Sequence, residues 1–371
     1  MSERSAAGTQ QWVLQFCHGY DGPFMDCARQ YAVLFKDTPY KVCTVYLTGE
    51  PSAEVERGSA SDEVIFLNYT SKQIRGLKLG AITDLRKLVK TRDFVLCIAH
   101  RFKPIYIALL GSQVPVMGVH HAFGDYQRRS RKVFAHLFRK RLSLLAVSDA
   151  VRDDIRACLP NWPTERIETL HNRIDLAVVR AEQVSRELAR NHLDLPQDAW
   201  VVGNVGRLHP DKDQATLIRG FAKALPELPA GSLLAIMGEG RLESRLKALV
   251  VELGVSESVR FLGQVKHGRR YFKAFDVFAL SSDHEPFGMV LLEAMAAGNK
   301  MLATDCGGAP EIVRKPEALF PLGDAQILAQ RLVACAGRGQ VDHSLALADF
   351  TDEAATRRFH LLARQLNVLS L

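Results

Sequence analysis

Short apolar runs rich in β-branched residues alternate along the chain with longer amphipathic segments. In the first half these runs are residues 12–18, 42–47, 64–67, 94–100, 114–121 and 144–148. After a charged stretch the rhythm restarts with residues 200–208, 233–238, 259–263, 277–281 and 301–306. Such alternation is typical of βα units around a parallel sheet. The pattern therefore predicts an α/β protein built from two doubly wound domains.

The boundary is expected near residues 172–175, because residues 180–194 read as a polar helix that precedes the second domain's first strand. We therefore predict domains over 1–172 and 173–371. Within the second, 351–371 is expected to be a closing helical segment, since apolar residues recur there at helical spacing. No low-complexity linker separates the halves, so the domains are expected to pack closely around a cleft.

The length of 371 residues and a 47% apolar composition suit two separate cores. The seven cysteines include no C-x-x-C pair, which favours free thiols over a metal site. No apolar run is long enough to span a bilayer and the first ten residues are polar, so the protein is expected to be cytoplasmic.

The net charge of +7 lies in the first half, where 24 Lys and Arg oppose 17 Asp and Glu. Seven of these cations fall in residues 128–141, together with Phe134, Leu137 and Phe138 at helical spacing. This segment predicts an amphipathic basic helix that docks on an anionic membrane surface. An ordinary domain helix with solvated cations accounts for it equally well.

Candidate chemistry is densest in residues 285–298, directly after a predicted strand. Pro286 suits the first turn of a helix, which would leave the backbone N–H groups of Phe287, Gly288 and Met289 free for an anionic or hydroxyl-rich ligand. On such a helix Glu285 and Glu293 would lie roughly 12 Å apart along the axis. The spacing alone fits two surface carboxylates at least as well.

Several further motifs occur in a fixed order with this run. They are Asn172-Arg173-Ile174-Asp175, Gly206-Arg207-Leu208, Lys212, Gly238-Glu239-Gly240 and Gly307-Gly308-Ala309-Pro310-Glu311. The set, which spans roughly residues 140–315, resembles family 4 of the retaining glycosyltransferases. The resemblance implies a GT-B fold, in which two Rossmann-like domains face a cleft. It also implies a nucleoside-diphosphate sugar on the second domain and the acceptor mainly on the first.

By the same resemblance, Glu285 contacts the transferred sugar, Glu293 contacts the ribose, and Arg207 and Lys212 contact the diphosphate. Both cations follow a predicted strand, which is the usual ligand side of α/β sheets. We expect them to stabilise the departing diphosphate without a metal or other cofactor, because no acidic pair is predicted to hold a divalent ion. Either cation taken alone reads equally well as a surface loop residue.

The resemblance implies further donor contacts from Gly238 near the phosphates and from Val265 near the nucleobase. A plain turn and a strand end are the structural alternatives. One departure concerns this region, because Asp213 stands where the family usually has glycine.

In the first half, His121 matches a histidine that in relatives faces the donor sugar, and it is expected to be catalytic. His120, Gly19 and Gly22 are expected on the acceptor side, although the loop over 17–23 lacks the family's adjacent glycines. A histidine at a strand end is also often only a packing group.

These observations predict retaining transfer of a hexose, with a UDP-linked donor, to a glycolipid or polysaccharide acceptor such as lipopolysaccharide core. A nucleotide-sugar epimerase of the same fold is the alternative. A nicotinamide-dependent oxidoreductase is more remote, because no G-x-G-x-x-G follows the first strand. A nucleic-acid partner is not expected, because the basic segment lacks interleaved aromatic residues.

Overall fold

The computed structural model describes residues 10–22, 24–336 and 339–369. The chain forms two compact units. The first comprises the chain up to Asn172 together with the segment that begins at Asp352, and the second runs from Arg173 to Thr351.

The first unit is built on a parallel sheet of seven strands in its described part, in the order β3-β2-β1-β4-β5-β6-β7. The strands are β1 (Gln11–Cys17), β2 (Lys41–Tyr46), β3 (Glu63–Phe66), β4 (Asp93–His100), β5 (Val116–His120), β6 (Leu142–Ala146) and β7 (Ile167–Thr169). Every residue of β5 and β6 is buried. This explains why the central strands read as continuous apolar runs rather than as alternating ones.

Helices of the first unit connect these strands. They are α1 (Phe24–Ala32), α2 (Ala53–Gly58), α3 (Leu79–Leu88), α4 (Phe102–Gly111), α5 (Arg129–Leu137) and α6 (Asp149–Cys158). The side chain of Ser148 accepts a hydrogen bond from the Val151 N–H and so caps α6. The chain thus passes from the carboxyl end of a strand into the next helix through a short polar turn.

The second unit contains a parallel sheet of six strands among the described residues, in the order β10-β9-β8-β11-β12-β13. They are β8 (Val201–Val205), β9 (Leu233–Met237), β10 (Val259–Gly263), β11 (Val277–Leu280), β12 (Lys300–Thr304) and β13 (Leu319–Phe320). The helices are α7 (Leu176–Glu182), α8 (Arg186–His192), α9 (Gln214–Ala224), α10 (Glu243–Glu252), α11 (Met289–Ala296), α12 (Ala309–Ile312), α13 (Ala325–Ala334) and α14 (Ser344–Leu347). Leu217, Phe221 and Leu328 pack in the core of this unit.

The assignment of the closing segment to the second domain was wrong. Helix α15 (Asp352–Gln365) belongs to the first unit. The Phe359 ring packs edge-on against Phe35 with centroids 5.4 Å apart, and Asp352 forms an ion pair with Arg29 at 2.8 Å. The apolar spacing predicted the helix, but it carries no information on which sheet a terminal helix packs against.

Two edge strands, β7 and β13, were not predicted separately because they have only three and two residues. The predicted run 200–208 ends as a strand already at Val205, where Gly206 begins the following loop. All seven cysteines are free thiols, of which four are buried and three are partly buried. Within the described residues, none of the helices has both the length and the apolar character that a membrane crossing requires.

Candidate functional site

Two loops at the carboxyl edge of the second sheet contact each other through their backbones. The Gly206 N–H donates to the Met237 carbonyl at 3.0 Å, and the Leu208 N–H donates to the Glu239 carbonyl at 2.9 Å. Gly238 has a φ of 139°, and a Cβ there would lie 2.0 Å from the Gly206 carbonyl oxygen. Only glycine fits at such a close approach. The motif glycine therefore sets the spacing between the loops that follow β8 and β9.

The helix that follows β11 begins later than predicted. Helix α11 starts at Met289, and Gly288 precedes it with a φ of 102°, which is outside the helical region. Pro286 therefore lies in the preceding loop, where the Gly308 N–H donates to the Glu285 carbonyl at 2.8 Å. The first N–H groups of the helix belong to Met289 and the residue after it, and not to Phe287 or Gly288 as predicted.

This shorter helix changes the relation between the two glutamates. Only Glu293 lies on α11, so the axial separation of roughly 12 Å predicted from a continuous helix does not apply. The Phe287 side chain is buried with its ring 5.7 Å from that of Phe350. Its side chain thus serves packing, which leaves only its backbone for any ligand contact.

Glu285 is a buried member of an ion pair. It is only 6% exposed, and its Oε2 accepts from Lys212 Nζ at 2.7 Å and from Ser282 Oγ at 3.1 Å. The Lys212 side chain is itself 19% exposed, and its backbone carbonyl accepts from Ser281 Oγ. The reading of Glu285 as a surface carboxylate is therefore wrong.

Four of the predicted donor residues line one pocket of about 440 Å³ in the second unit. They are Arg207, Gly238, Val265 and Glu293. The Lys212–Glu285 pair adjoins this pocket through Gly206, since a Cβ on that glycine would lie 3.8 Å from the Lys212 side chain. The structure thus brings together groups that are far apart in sequence.

Eight residues that line this pocket were not among the predicted donor contacts, and three of these have polar side chains: Glu239, Gln264 and Arg269. The Glu239 Oε1 accepts from the Gln264 N–H at 3.2 Å, and Arg269 donates to both carboxylate oxygens of Glu182. The position of Glu239 between two motif glycines was an available signal. No such signal was available for Arg269, because this residue lies in a segment without a motif.

An acidic pair with one intervening residue does occur in the loop after β8. Asp211 is hydrogen-bonded to His209 and also accepts from Arg207 at 3.2 Å. Asp213 has a left-handed φ of 39°, and its side chain caps α9 by accepting from the Thr216 N–H. The two carboxylates therefore have separate structural partners. The Arg207 side chain remains 70% exposed.

In the first unit, the acceptor-side prediction for His120 was wrong. His120 is completely buried, and its ring nitrogens lie 2.7 Å from Asp125 and 3.2 Å from Tyr126. Its side chain is turned into the interior and packs there. The neighbouring His121 directly follows the last residue of β5 and is partly exposed.

His121 lies at the carboxyl edge of the first sheet. Its Nε2 is 3.1 Å from the Nδ1 of His100, and the two rings stack. Burial, with repulsion from His120 and Arg101, lowers the pKa of His121 to about 3. The imidazole is therefore neutral near pH 7 and offers hydrogen bonding rather than charge.

Gly19 and Gly22 lie in the loop after β1, at the same edge. A Cβ on Gly19 would come within 2.7 Å of Thr48 Oγ1, so this position is tight. Gly22 has a φ of 61° and open space around it. The loop thus depends on glycine even though it lacks the adjacent pair usual in the family.

Helix α5 differs from the prediction in length and in the face it buries. It covers Arg129–Leu137, whereas 128–141 was predicted. The ring of Phe134 packs on Tyr106 and Phe138, each at 4.8 Å, but Leu137 is 76% exposed and does not share that contact. The buried side is therefore narrower than the sequence pattern indicated.

Two profiles of known protein families match this chain, one in each half. Residues 36–178 match the profile described as Glycosyltransferase Family 4, and residues 185–334 match the one described as Glycosyl transferases group 1. The chain belongs to the family 4 glycosyltransferases with the GT-B fold. Each matched segment lies largely within one structural unit.

A curated relative is the lipopolysaccharide core biosynthesis glycosyltransferase LpsE of Rhizobium meliloti, 36% identical over 179 residues. That alignment spans 45% of this chain and half the length of LpsE. A glycosyltransferase from Rickettsia africae has the same fold, with a TM-score of 0.81 at 15% identity over 96% of this chain and 99% of that chain. Anabaena HepE, solved in complex with UDP-glucose, gives 0.73 at 20% identity over 97% of this chain and 100% of that chain.

Proposed function

We propose that this glycosyltransferase moves a hexose from a UDP-linked donor to a glycolipid or polysaccharide acceptor such as lipopolysaccharide core, with retention of configuration. The observation that carries the proposal is the buried Lys212–Glu285 pair beside a pocket that Arg207 and Glu293 line. The name of LpsE supports the acceptor class, and the complex of HepE supports the donor class.

In this proposal the second unit binds the donor. Arg207 and Lys212 face the diphosphate and stabilise the negative charge that develops as it leaves, so that no metal ion is needed. Glu293 accepts hydrogen bonds from the ribose, and the backbone around Val265 holds the base. The Met289 N–H at the start of α11 is available to a sugar hydroxyl.

The neutral imidazole of His121 is the first unit's candidate for hydrogen bonding to a sugar hydroxyl. Glu285 is neutralised by its ion pair with Lys212, which makes it a poor covalent nucleophile. A front-face route, in which the acceptor hydroxyl enters beside the departing phosphate, is therefore the one we propose for retention.

The protein is further proposed to be cytoplasmic and to act at the anionic inner face of a membrane. The side chains of Val133 and Leu137 are 68% and 76% exposed on α5, next to Arg128, Arg129 and Lys132. Exposed apolar residues flanked by cations are the chemistry of interfacial binding.

The test of the reaction starts with nucleotide sugars. UDP-glucose should raise the thermal unfolding midpoint more than GDP-, ADP- or CMP-linked sugars do. Arg207→Ala should lower transfer to a lipopolysaccharide core acceptor by a factor of about 10² to 10³. The matched control is Lys223→Ala, which removes an exposed cation of α9 in the same unit.

The anomeric configuration of the product, read from its proton coupling constant, decides between retention and inversion. No stabilisation by any nucleotide sugar would contradict the donor assignment. Stabilisation followed by release of an epimerised sugar without an acceptor would assign the protein as an epimerase instead.

A further inference from the structure

Two cationic side chains and a histidine lie where the chain leaves the carboxyl edge of the first sheet. We call His18, Arg101 and Lys103 the basic cluster. His18 follows the last residue of β1, and Arg101 follows the last residue of β4. These strands are paired in parallel with Phe16 beside Ala99, so the two residues leave the sheet side by side. Lys103 lies in the first turn of α4.

The cluster has little negative charge to neutralise it. Within the described residues, neither Arg101 nor Lys103 forms an ion pair with a carboxylate. Burial, then repulsion from Arg101 and Lys103, lowers the pKa of His18, while the nearby Asp21 carboxylate opposes this effect. Repulsion between Lys103 and Lys78 also contributes to a lowered pKa of Lys78, after the larger effect of burial.

Arg101 is held in place although it is exposed. Its guanidinium lies 5.0 Å from the centre of the Phe24 ring, and that ring is 5.9 Å from the ring of His121. Its backbone has a φ of 73° and a ψ of 161°, a region that residues other than glycine seldom adopt. The backbone N–H of Arg101 donates to the Val119 carbonyl at 2.8 Å, which fixes this conformation. The guanidinium is thus positioned close to the candidate residue His121.

We propose that the basic cluster binds an anionic group, a phosphate or a carboxylate, carried by the acceptor saccharide. A guanidinium presents paired N–H donors that match the oxygens of such a group, and Lys103 adds a second charge. The start of α4 contributes a further positive field. This inference rests on the proposed function, because it selects among its acceptors those that are charged near the reacting sugar.

The donor diphosphate is the other possible source of such an anion. It is assigned to the second unit, where Arg207 and Lys212 are its candidate partners. The two sources are separable, since removal of the basic cluster should weaken binding of an anionic sugar and leave the affinity for UDP unchanged.

The experiment uses the full chain and calorimetric titration with glucose 6-phosphate, glucuronate, glucose, inorganic phosphate and UDP. The test variant is Arg101→Gln/Lys103→Gln. The control is Lys36→Gln/Lys90→Gln, two exposed lysines at the opposite, amino edge of the same sheet. Thermal unfolding of each variant establishes that it is folded.

We expect an anionic sugar to bind the wild-type protein about tenfold or more tightly than glucose, and the test variant to lose most of this difference. The control variant should retain it. Equal binding of glucose and the anionic sugars by the wild-type protein, or unchanged binding in the test variant, would overturn the proposal. If inorganic phosphate binds as tightly as glucose 6-phosphate, the cluster is a general anion site, and its assignment to the acceptor is overturned.

The affinity for UDP separates the remaining outcomes. A parallel loss of UDP affinity in the test variant would assign the cluster to the donor and refute the inference. Failure of UDP-sugar binding in the wild-type protein would instead refute the proposed function, while the titrations with sugar phosphates would still report on the cluster.

Discussion

The Lys212–Glu285 ion pair is expected to couple stability with donor binding. Lys212 Nζ and Glu285 Oε2 lie 2.7 Å apart, and the side chains of the lysine and the glutamate are only 19% and 8% exposed, respectively. Removing one partner of a buried pair leaves an uncompensated charge, at a cost of about 3–5 kcal/mol. Because the lysine retains some access to water, we expect about 3 kcal/mol for Lys212→Met and for Glu285→Gln.

A double-mutant cycle measures this coupling. The double variant, which has no charge left to strand, should be destabilised by about 2 kcal/mol less than the sum of the single variants. Urea unfolding of the four proteins provides the free energies of unfolding. The control cycle uses Lys247 and Glu243 on α10, an exposed pair at 2.6 Å, for which we expect a coupling of about 0.5 kcal/mol or less.

Nucleotide binding distinguishes a purely structural pair from one that serves the donor. Lys212→Met should weaken UDP binding and reduce turnover by a factor of about 10² to 10³, because the charge that faces the diphosphate is lost. Glu285→Gln should leave UDP affinity equal or higher, because it frees the ammonium group, and should still reduce turnover. Additive single effects would refute the coupling, and equal losses of UDP affinity would refute the assigned roles.

Transfer activity should persist in EDTA, and its loss with recovery on added Mg²⁺ or Mn²⁺ would refute the metal-free route. Val133→Ser/Leu137→Ser should reduce binding to anionic vesicles about tenfold. Leu345→Ser, at a leucine of the second unit that is 92% exposed, should leave this binding unchanged. Wild-type protein that does not bind such vesicles would contradict the docking proposal. Because the pKa of His121 is lowered to about 3 in the folded protein, the unfolded state binds more protons between pH 3 and 6.5, and the free energy of unfolding should fall as the pH drops below 6.5. In urea titrations, His121→Gln should reduce the slope of this free energy against pH by up to about 1.4 kcal/mol per pH unit. An unchanged slope would contradict the assignment of this pH dependence to His121.

The strands could be predicted because a parallel sheet buries both its faces, and burial leaves continuous apolar runs in the sequence. The candidate site was predictable only as a set of motifs. The contact between Lys212 and Glu285 joins residues 73 positions apart. No local pattern reports such a contact, which depends on how the loops after β8 and β11 meet.

The errors have local physical causes. Pro286 suits a helix start, but Gly288 adopts a positive φ, and the preceding loop is held by the backbone of Gly307 and Gly308. These glycines come from the loop after β12, so their effect was invisible in the 285–298 run. The apolar run over 114–121 predicted a strand but not the residue at which it ends. His120 is the last residue of β5 and is buried, whereas His121 follows the strand and is partly exposed.

Asp213 shows how a departure from the family pattern can leave the site intact. The chain there adopts a left-handed conformation, which costs an ordinary residue about 1–2 kcal/mol relative to glycine. Aspartate tolerates that region better than most residues, and its side chain accepts from the Thr216 N–H as the cap of α9. Such a cap contributes about 1 kcal/mol, so the substitution approximately offsets its own strain. The loop therefore keeps the turn that a glycine would provide, and Lys212, directly before it, keeps its place against Glu285.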